Sequence, residues 1–462
     1  MALALYLAFI GTACAYALID WRRGWLLVIL CGVMQDPVRK LTAGAPVVVS
    51  FAVVALYGAI LFSARNELIA HVGEFARRFG NVYTSLIAFI FVLMLAALNG
   101  LMTYGVAMWK VPLLSLVTYC FPLVAALLGY AWLQREEWMY RYFRIYSAVT
   151  AVALIGTVLE YKRVPWRILG MVSFEGDYIR HLPGIQIRLL SGLYRGPDVM
   201  AWHASMLTCI AIALALRSGL SRSSLFWSGV AMWGFFNCLI AGRRKAIYTV
   251  VVFGVVFVWR YGRRLRTSQM IALAGVLLLL AGLVRHLAAG EQTSMYAAGA
   301  VATRGELAQR LEGGALSTFK QYGLMGAGLG TATQGVYHLL GTANLGWQEG
   351  GLGKLAVEVG LPGLLALTVI AWIVMRLLLR LTRVTDVPGS SQFIRVTMFG
   401  LVVANIASFT ASAQAYTDAV LGLTTGFFVG CLFATAALDE RLAAAVQQPA
   451  ATPAPRAEPQ LA

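Results

Sequence analysis

The sequence predicts an all-α polytopic membrane protein of about 12–14 transmembrane helices, 13 favoured, with a partly helical periplasmic loop domain. Three observations carry that expectation. Of the 462 residues, 60% are hydrophobic and only 12% are charged, a composition that belongs in a bilayer. Apolar runs of about 17 residues or more recur along the chain, close to the ~20 that cross a bilayer as a helix. The charged residues gather between those runs. In that arrangement the formal net charge of +17 sets topology, so membrane lipids are the expected surroundings and nucleic acid is not an expected partner.

The spans fall at 3–19, 24–41, 45–62, 82–102, 110–132, 143–159, 200–216, 225–241, 245–259, 268–285, 351–375, 396–411 and 418–437. The first has the length of a signal peptide, but no basic residue precedes its apolar core and "DWRRG" follows it, so it reads as a retained helix. The second, "WLLVILCGVMQDPVRKL", is the weakest of the set. The chain then divides into N-terminal helices (1–159), a first large periplasmic loop (160–199), central helices (200–285), a second large loop (286–350), C-terminal helices (351–437) and a disordered cytoplasmic tail (438–462) rich in Pro, Ala and Gln. Cys14, Cys31, Cys120, Cys209, Cys238 and Cys431 all fall inside apolar runs, without metal spacing, and read as packing residues. No exposed His, Asp and Glu cluster has ligand spacing, so neither metal nor cofactor is expected.

Sidedness follows from the connections. Alternate ones, "DWRRG", "SARNELIAHVGEFARRFG", "LQREEWMYRYFR", "RSGLSRSS", "RYGRRLR" and "RLLLRLTRVTD", are all arginine-rich and belong inside, which puts the C-terminus in the cytoplasm. Three outside connections break the rule. They are "AGRRKAIY", with Arg243 and Arg244; the 162–199 loop, with Arg188 and Arg195; and the segment of about 65 residues from Arg285 to Gly350, with Arg310. Any one arginine there has an ordinary explanation in a lipid headgroup or an ion pair. Together they suit a polyanion, because guanidinium forks match phosphate oxygens and keep their charge at any relevant pH. Charge at membrane depth marks a functional site, so the ligand should be a phosphate or diphosphate with a lipid portion. A polyprenyl-diphosphate-linked glycan and a phospholipid headgroup both fit that description.

The last outside segment adds two features. In "GLMGAGLGT" the residues Gly323, Gly326, Gly328 and Gly330 permit tight turns and close approach of backbone to a ligand, although a simple loop also explains them. In "WQEGGLGKLAVEVGLPGLL" a membrane helix opens with Glu349, Lys354 and Glu358 near its outer end, where the helix dipole favours carboxylates.

An arginine, a spacer, a G-x-G-x-G turn and a helix with E-x-G-x-x-G resemble the C-terminal signature of the O-antigen ligase and O-antigen polymerase superfamily. Arg310, Gly326, Gly328, Gly330, Glu358, Gly360 and Gly363 occupy those positions. "AGRRKAIY" is similar to the superfamily's short external turn, with Arg244 at the arginine position and Arg243 beside it. "RLLSGLYRGPDVMAWHASML" resembles the external segment before a membrane helix, with Arg188 or Arg195 as the candidates. The likeness runs from about residue 140 to 437.

One position departs from it. The superfamily's histidine, a candidate base nine residues before the glutamate, is replaced here by Glu349, and the nearby His338 is out of register. A glutamate serves as general base when apolar surroundings raise its pKa. The resemblance implies an inverting, metal-independent glycosyltransferase of the bacterial inner membrane whose active site faces the periplasm. Its donor would be an undecaprenyl-diphosphate-linked glycan, held by Arg243, Arg244, Arg310, Arg195 and Arg188, with Glu349 accepting the acceptor's proton; His338 and Lys354 are further candidates. A flippase and chain-length or export proteins would be its pathway partners. A surface-polysaccharide polymerase is favoured over an O-antigen ligase or a protein O-oligosaccharyltransferase, because the altered base position departs from ligases. A transporter of lipid-linked saccharides is the competitor outside enzymology, but the paired broken helices of two related halves are not visible in the sequence.

Overall fold

The computed structural model describes residues 1–46, 49, 52–172, 179–182, 185–290, 294–296, 317–333, 348, 350–382 and 391–447. The helices are α1 (Ala2–Ile19), α2 (Trp21–Leu41), α3 (Ala52–Arg78), α4 (Gly80–Tyr104), α5 (Lys110–Trp132), α6 (Glu136–Ala153), α7 (Ile155–Tyr161), α8 (Pro197–Ser218), α9 (Arg222–Ile240), α10 (Arg244–Tyr261), α11 (Thr267–Ala289), α12 (Gly351–Leu381), α13 (Gln392–Ala411) and α14 (Ala419–Gln447). Among the described residues, twelve spans are long and apolar enough to cross a membrane, counting α6 and α7 as one. The chain is an all-α polytopic membrane protein. α2 is as long as its neighbours but falls outside that set, because Arg22, Arg23, Asp36, Arg39 and Lys40 crowd its two ends. It nevertheless lies among the others: Trp25 and Cys31 are buried, and Tyr6 of α1 donates to the Cys31 carbonyl at 3.1 Å.

Several boundaries differ from the sequence expectation. α3 continues to Arg78, so the arginine-rich "SARNELIAHVGEFARR" is helix and not loop. α14 likewise runs on to Gln447, into the stretch expected to be disordered; residues 448–462 lie outside the described residues. Chain between apolar runs stays helical here because backbone that leaves the bilayer core still satisfies its own hydrogen bonds most simply as helix. The 160–199 loop also holds two short antiparallel strands, β1 (Ile179–Leu182) and β2 (Ile185–Arg188), an element that apolar periodicity did not announce.

α8 is the central helix, with every residue from Pro197 to Leu216 buried except Asp198. A helix that is apolar all round needs protein on every side. In the core its Trp202 Nε1 donates to Asn405 Oδ1 of α13 at 2.7 Å. α5 and α14 pack backbone to backbone. A Cβ at Gly430 would fall on the Ala126 carbonyl and one at Gly426 on the Pro122 carbonyl, so the small residues at one-turn spacing are what bring these helices together. α12 is peripheral and presents Leu365, Val369 and Trp372 outward.

The bundle has two unlike ends. At one, the cations serve the fold: Arg395 bonds Asp439 and Thr435, Arg78 pairs with Glu440, Arg260 donates to the Leu379 carbonyl, and Arg217 lies 3.1 Å from the Tyr140 ring centre. The other end carries the connections that break the positive-inside pattern.

Candidate functional site

Six stretches far apart in sequence meet at that second end: the end of α2, the end of α7, the 188–196 segment, the start of α8, the α9–α10 turn, and the 412–418 connection. Glu160 Oε2 accepts from the amides of Ser191 (2.9 Å) and Gly192 (2.5 Å). Lys40 Nζ donates to the carbonyls of Gly192 (2.9 Å) and Tyr194 (2.7 Å), and Asp36 Oδ2 accepts from the Arg195 amide at 2.8 Å. Two buried carboxylates and the half-buried Lys40 therefore bind the backbone of 191–195, whose amides and carbonyls have no helical partners of their own.

That fixed segment presents its arginines. Arg195 Nη2 lies 3.3 Å from Asp418 Oδ2, while Asp418 Oδ1 caps α14 through the Val420 amide at 2.8 Å. Arg188 donates to the Glu160 carbonyl at 3.4 Å, and its own carbonyl accepts from Tyr296 at 2.8 Å. Beside it runs the α9–α10 turn, where Gly242 (φ +67°) leaves no room for a Cβ against Leu189. Arg243 and Lys245 follow, and both reach Asp198, at 2.8 and 2.5 Å. Lys245 also donates to Ser412 Oγ at 3.2 Å. Arg244 lies between them, half-buried.

Among the described residues this end gathers the cations Arg39, Lys40, Arg188, Arg195, Arg243, Arg244 and Lys245 around the carboxylates Asp36, Glu160, Asp198 and Asp418. Partly buried cations are screened less than exposed ones, and their field is directed to whatever anion arrives. Immediately inside the bundle sits His203, which sequence reasoning missed because its surroundings are apolar. Its Nδ1 is 2.9 Å from the Tyr146 hydroxyl and its ring stacks 4.7 Å from Tyr194. Burial and the nearby Asp36 hold the Tyr194 phenol well above its ordinary pKa.

The glycine turn proves to be a packing device. α12 breaks at Gly360 (φ +64°). There the turn takes over the helix's own hydrogen bonds: Leu361 N donates to the Leu324 carbonyl (2.8 Å), and the Val357 carbonyl accepts from Ala327 N (2.7 Å). Backbone inserted into the helical ladder explains the kink. A Cβ at Gly326 would sit 2.5 Å from the Val357 oxygen, one at Gly330 2.6 Å from the Val111 oxygen, and one at Gly328 on the backbone of Gly100. The close approach that glycine permits is made to α4, α5 and α12.

Glu358, wholly buried, closes the same unit. Its Oε2 accepts from Tyr119 at 2.6 Å and its Oε1 from Thr333 at 2.8 Å, and Ser115 donates to Thr333 at 2.8 Å. Lys354, also buried, places its Nζ 5.4 Å from the Tyr119 ring centre. It thus belongs to this network and not to the cationic end. The two regions touch through α12: Gly351 abuts Phe409 at the end of α13, three residues before Ser412.

The structure thus gathers Arg188, Arg195, Arg243 and Arg244 at one end of the bundle and adds Asp36, Lys40, Glu160, Asp198, Lys245 and Asp418, which motif reading passed over. Arg310, His338 and Glu349 lie outside the described residues. Among the described residues, no group of three His, Cys, Asp and Glu could hold a metal ion. No protein-family model, curated protein or solved structure matches this chain.

Proposed function

We propose that this protein is a bacterial surface-polysaccharide polymerase, acting in the inner membrane with its site toward the periplasm. It would transfer glycan from undecaprenyl diphosphate to a lipid-linked repeat unit. The observation that carries the reading is the gathering of Arg195, Arg243, Arg244 and Lys245 from distant segments to one end of the bundle, where topology does not ask for them.

In this reading the acceptor hydroxyl oxygen attacks the anomeric carbon from the face opposite the diphosphate. The anomeric carbon–oxygen bond breaks, its electron pair stays on the phosphate oxygen, and the configuration inverts. Glu349 takes the hydroxyl proton. Charge grows on the leaving diphosphate as the bond breaks, and Arg244, with Arg310 as the second arginine of this reading, would lower the barrier by binding that charge. A cationic site at the end of lipid-facing helices also suits a donor whose carrier stays in the bilayer.

The test is glycan chain length, read on gels from a deletion strain expressing the wild-type, Arg244→Ala, Arg310→Ala, Glu349→Gln or His338→Ala protein at matched membrane levels. Glycans should stop at one repeat unit with the first three variants and stay long with His338→Ala. Long polymer accumulating unattached would make the protein a ligase. Unchanged glycans in every variant would remove the catalytic reading, and flux of lipid-linked saccharide across sealed vesicles without lengthening would replace it with transport.

A further inference from the structure

Three consecutive cations at the start of α10 are a physical problem. Arg243 is the N-cap, Arg244 and Lys245 open the first turn, and all three sit at the positive end of the helix dipole. Their neighbours in sequence are apolar, and Lys245 is buried. Left alone they would repel one another and the helix. Asp198 answers this from another helix. It stands in the first turn of α8, where the dipole favours a carboxylate, and it spends one oxygen on each outer cation: Oδ2 on Arg243 and Oδ1 on Lys245. The carboxylate thus spans the middle residue, Arg244. Ser412 holds Lys245 from the far side.

We propose that Asp198 is the positioning residue of the cationic site: by bridging Arg243 and Lys245 it fixes the turn on which Arg244 meets the anionic group of a lipid diphosphate. The inference rests on the reading above. Its physical content is that Asp198 acts through the charge of Lys245 and Arg243, without touching the ligand. Removing the carboxylate takes from the buried Lys245 and the half-buried Arg243 the counter-charge they share, and the turn must open to hydrate them. Removing Lys245 as well relieves that demand and leaves Arg243 and Arg244 able to settle.

The experiment measures binding of farnesyl diphosphate, as a soluble polyprenyl diphosphate, to the purified full-length protein in detergent. It compares wild-type, Asp198→Asn, Asp198→Glu, Lys245→Met and the Asp198→Asn/Lys245→Met double variant, with a melting curve for each. Asp198→Asn should weaken binding by about tenfold or more, as expected for breaking a close buried charge pair. Asp198→Glu should recover most of the affinity, and the double variant should bind better than Asp198→Asn alone. A purely structural carboxylate would shift the melting midpoints while leaving affinity unchanged in every folded variant, and that result overturns the proposal. So does a double variant as weak as Asp198→Asn. A wild-type protein that binds no polyprenyl diphosphate defeats instead the polymerase reading on which the proposal stands.

Discussion

The cationic end and the glycine turn carry the two motif-like features of this chain, and the fold accounts for them unequally. Every glycine of the turn that matters is used by packing: Gly326, Gly328, Gly330 and Gly360 each stand where a Cβ would strike the backbone of a neighbouring segment. The arginines are another matter, since Arg188, Arg195, Arg243 and Arg244 come from separate segments to one end and stay half-buried there. A motif residue that the fold already explains needs no ligand. A cluster of half-buried guanidinium groups at one end of the bundle is suited to an anion, and this difference makes the arginine end the better candidate for chemistry.

The comparison breaks most easily at Gly328. Substitution by Val would drive a side chain into Gly100 at a backbone φ of +97°, which should cost more than about 4 kcal/mol and leave little folded protein after detergent extraction. Recovery of normally folded Gly328→Val would show that the turn is not packed as described. Next comes Glu358. Its replacement by Leu strands the Tyr119 and Thr333 hydroxyls, with a loss of about 3–5 kcal/mol, whereas Gln keeps one acceptor and should cost about 1–3 kcal/mol. Thermal unfolding of both variants ranks them; equal melting points would dissolve the network as a unit.

At the cationic end, Lys40→Met removes the donor to two carbonyls and should cost about 1–3 kcal/mol. The effect should be local, seen as faster amide exchange at Gly192–Arg195 while α8 stays protected. Arg244→Ala should change the melting midpoint by less than about 1 kcal/mol even as long glycan disappears, the reverse of the Gly328 result. As a control, Gly254 in α10 has open space where a Cβ would go, and Gly254→Ala should leave stability within about 0.5 kcal/mol and glycan unchanged.

Much of the architecture was legible because bilayer thickness sets the length of an apolar run, and that length is local in sequence. α2 was the doubtful span for the right reason, since its charges at Arg22, Arg23, Asp36, Arg39 and Lys40 blur the signal. The site was legible in part. Arg243 and Arg244 drew notice because they interrupt apolar sequence. Asp198 and Glu160 did not, since a single acid near a helix end is commonplace, and the contact of Lys354 with Tyr119 could not be foreseen because the two lie 235 positions apart along the chain.

The sequence by itself determined the class of protein, the approximate helices and the excess of cations between them, all of which follow from the local partition of apolar and charged side chains between lipid and water. Only the tertiary structure decided what those cations and glycines face. Lys40 on Tyr194, Asp198 across Arg243 and Lys245, and the turn lodged in the α12 ladder depend on which helices pack side by side. Helical periodicity gives each helix a face, but it does not say which helix will cover it.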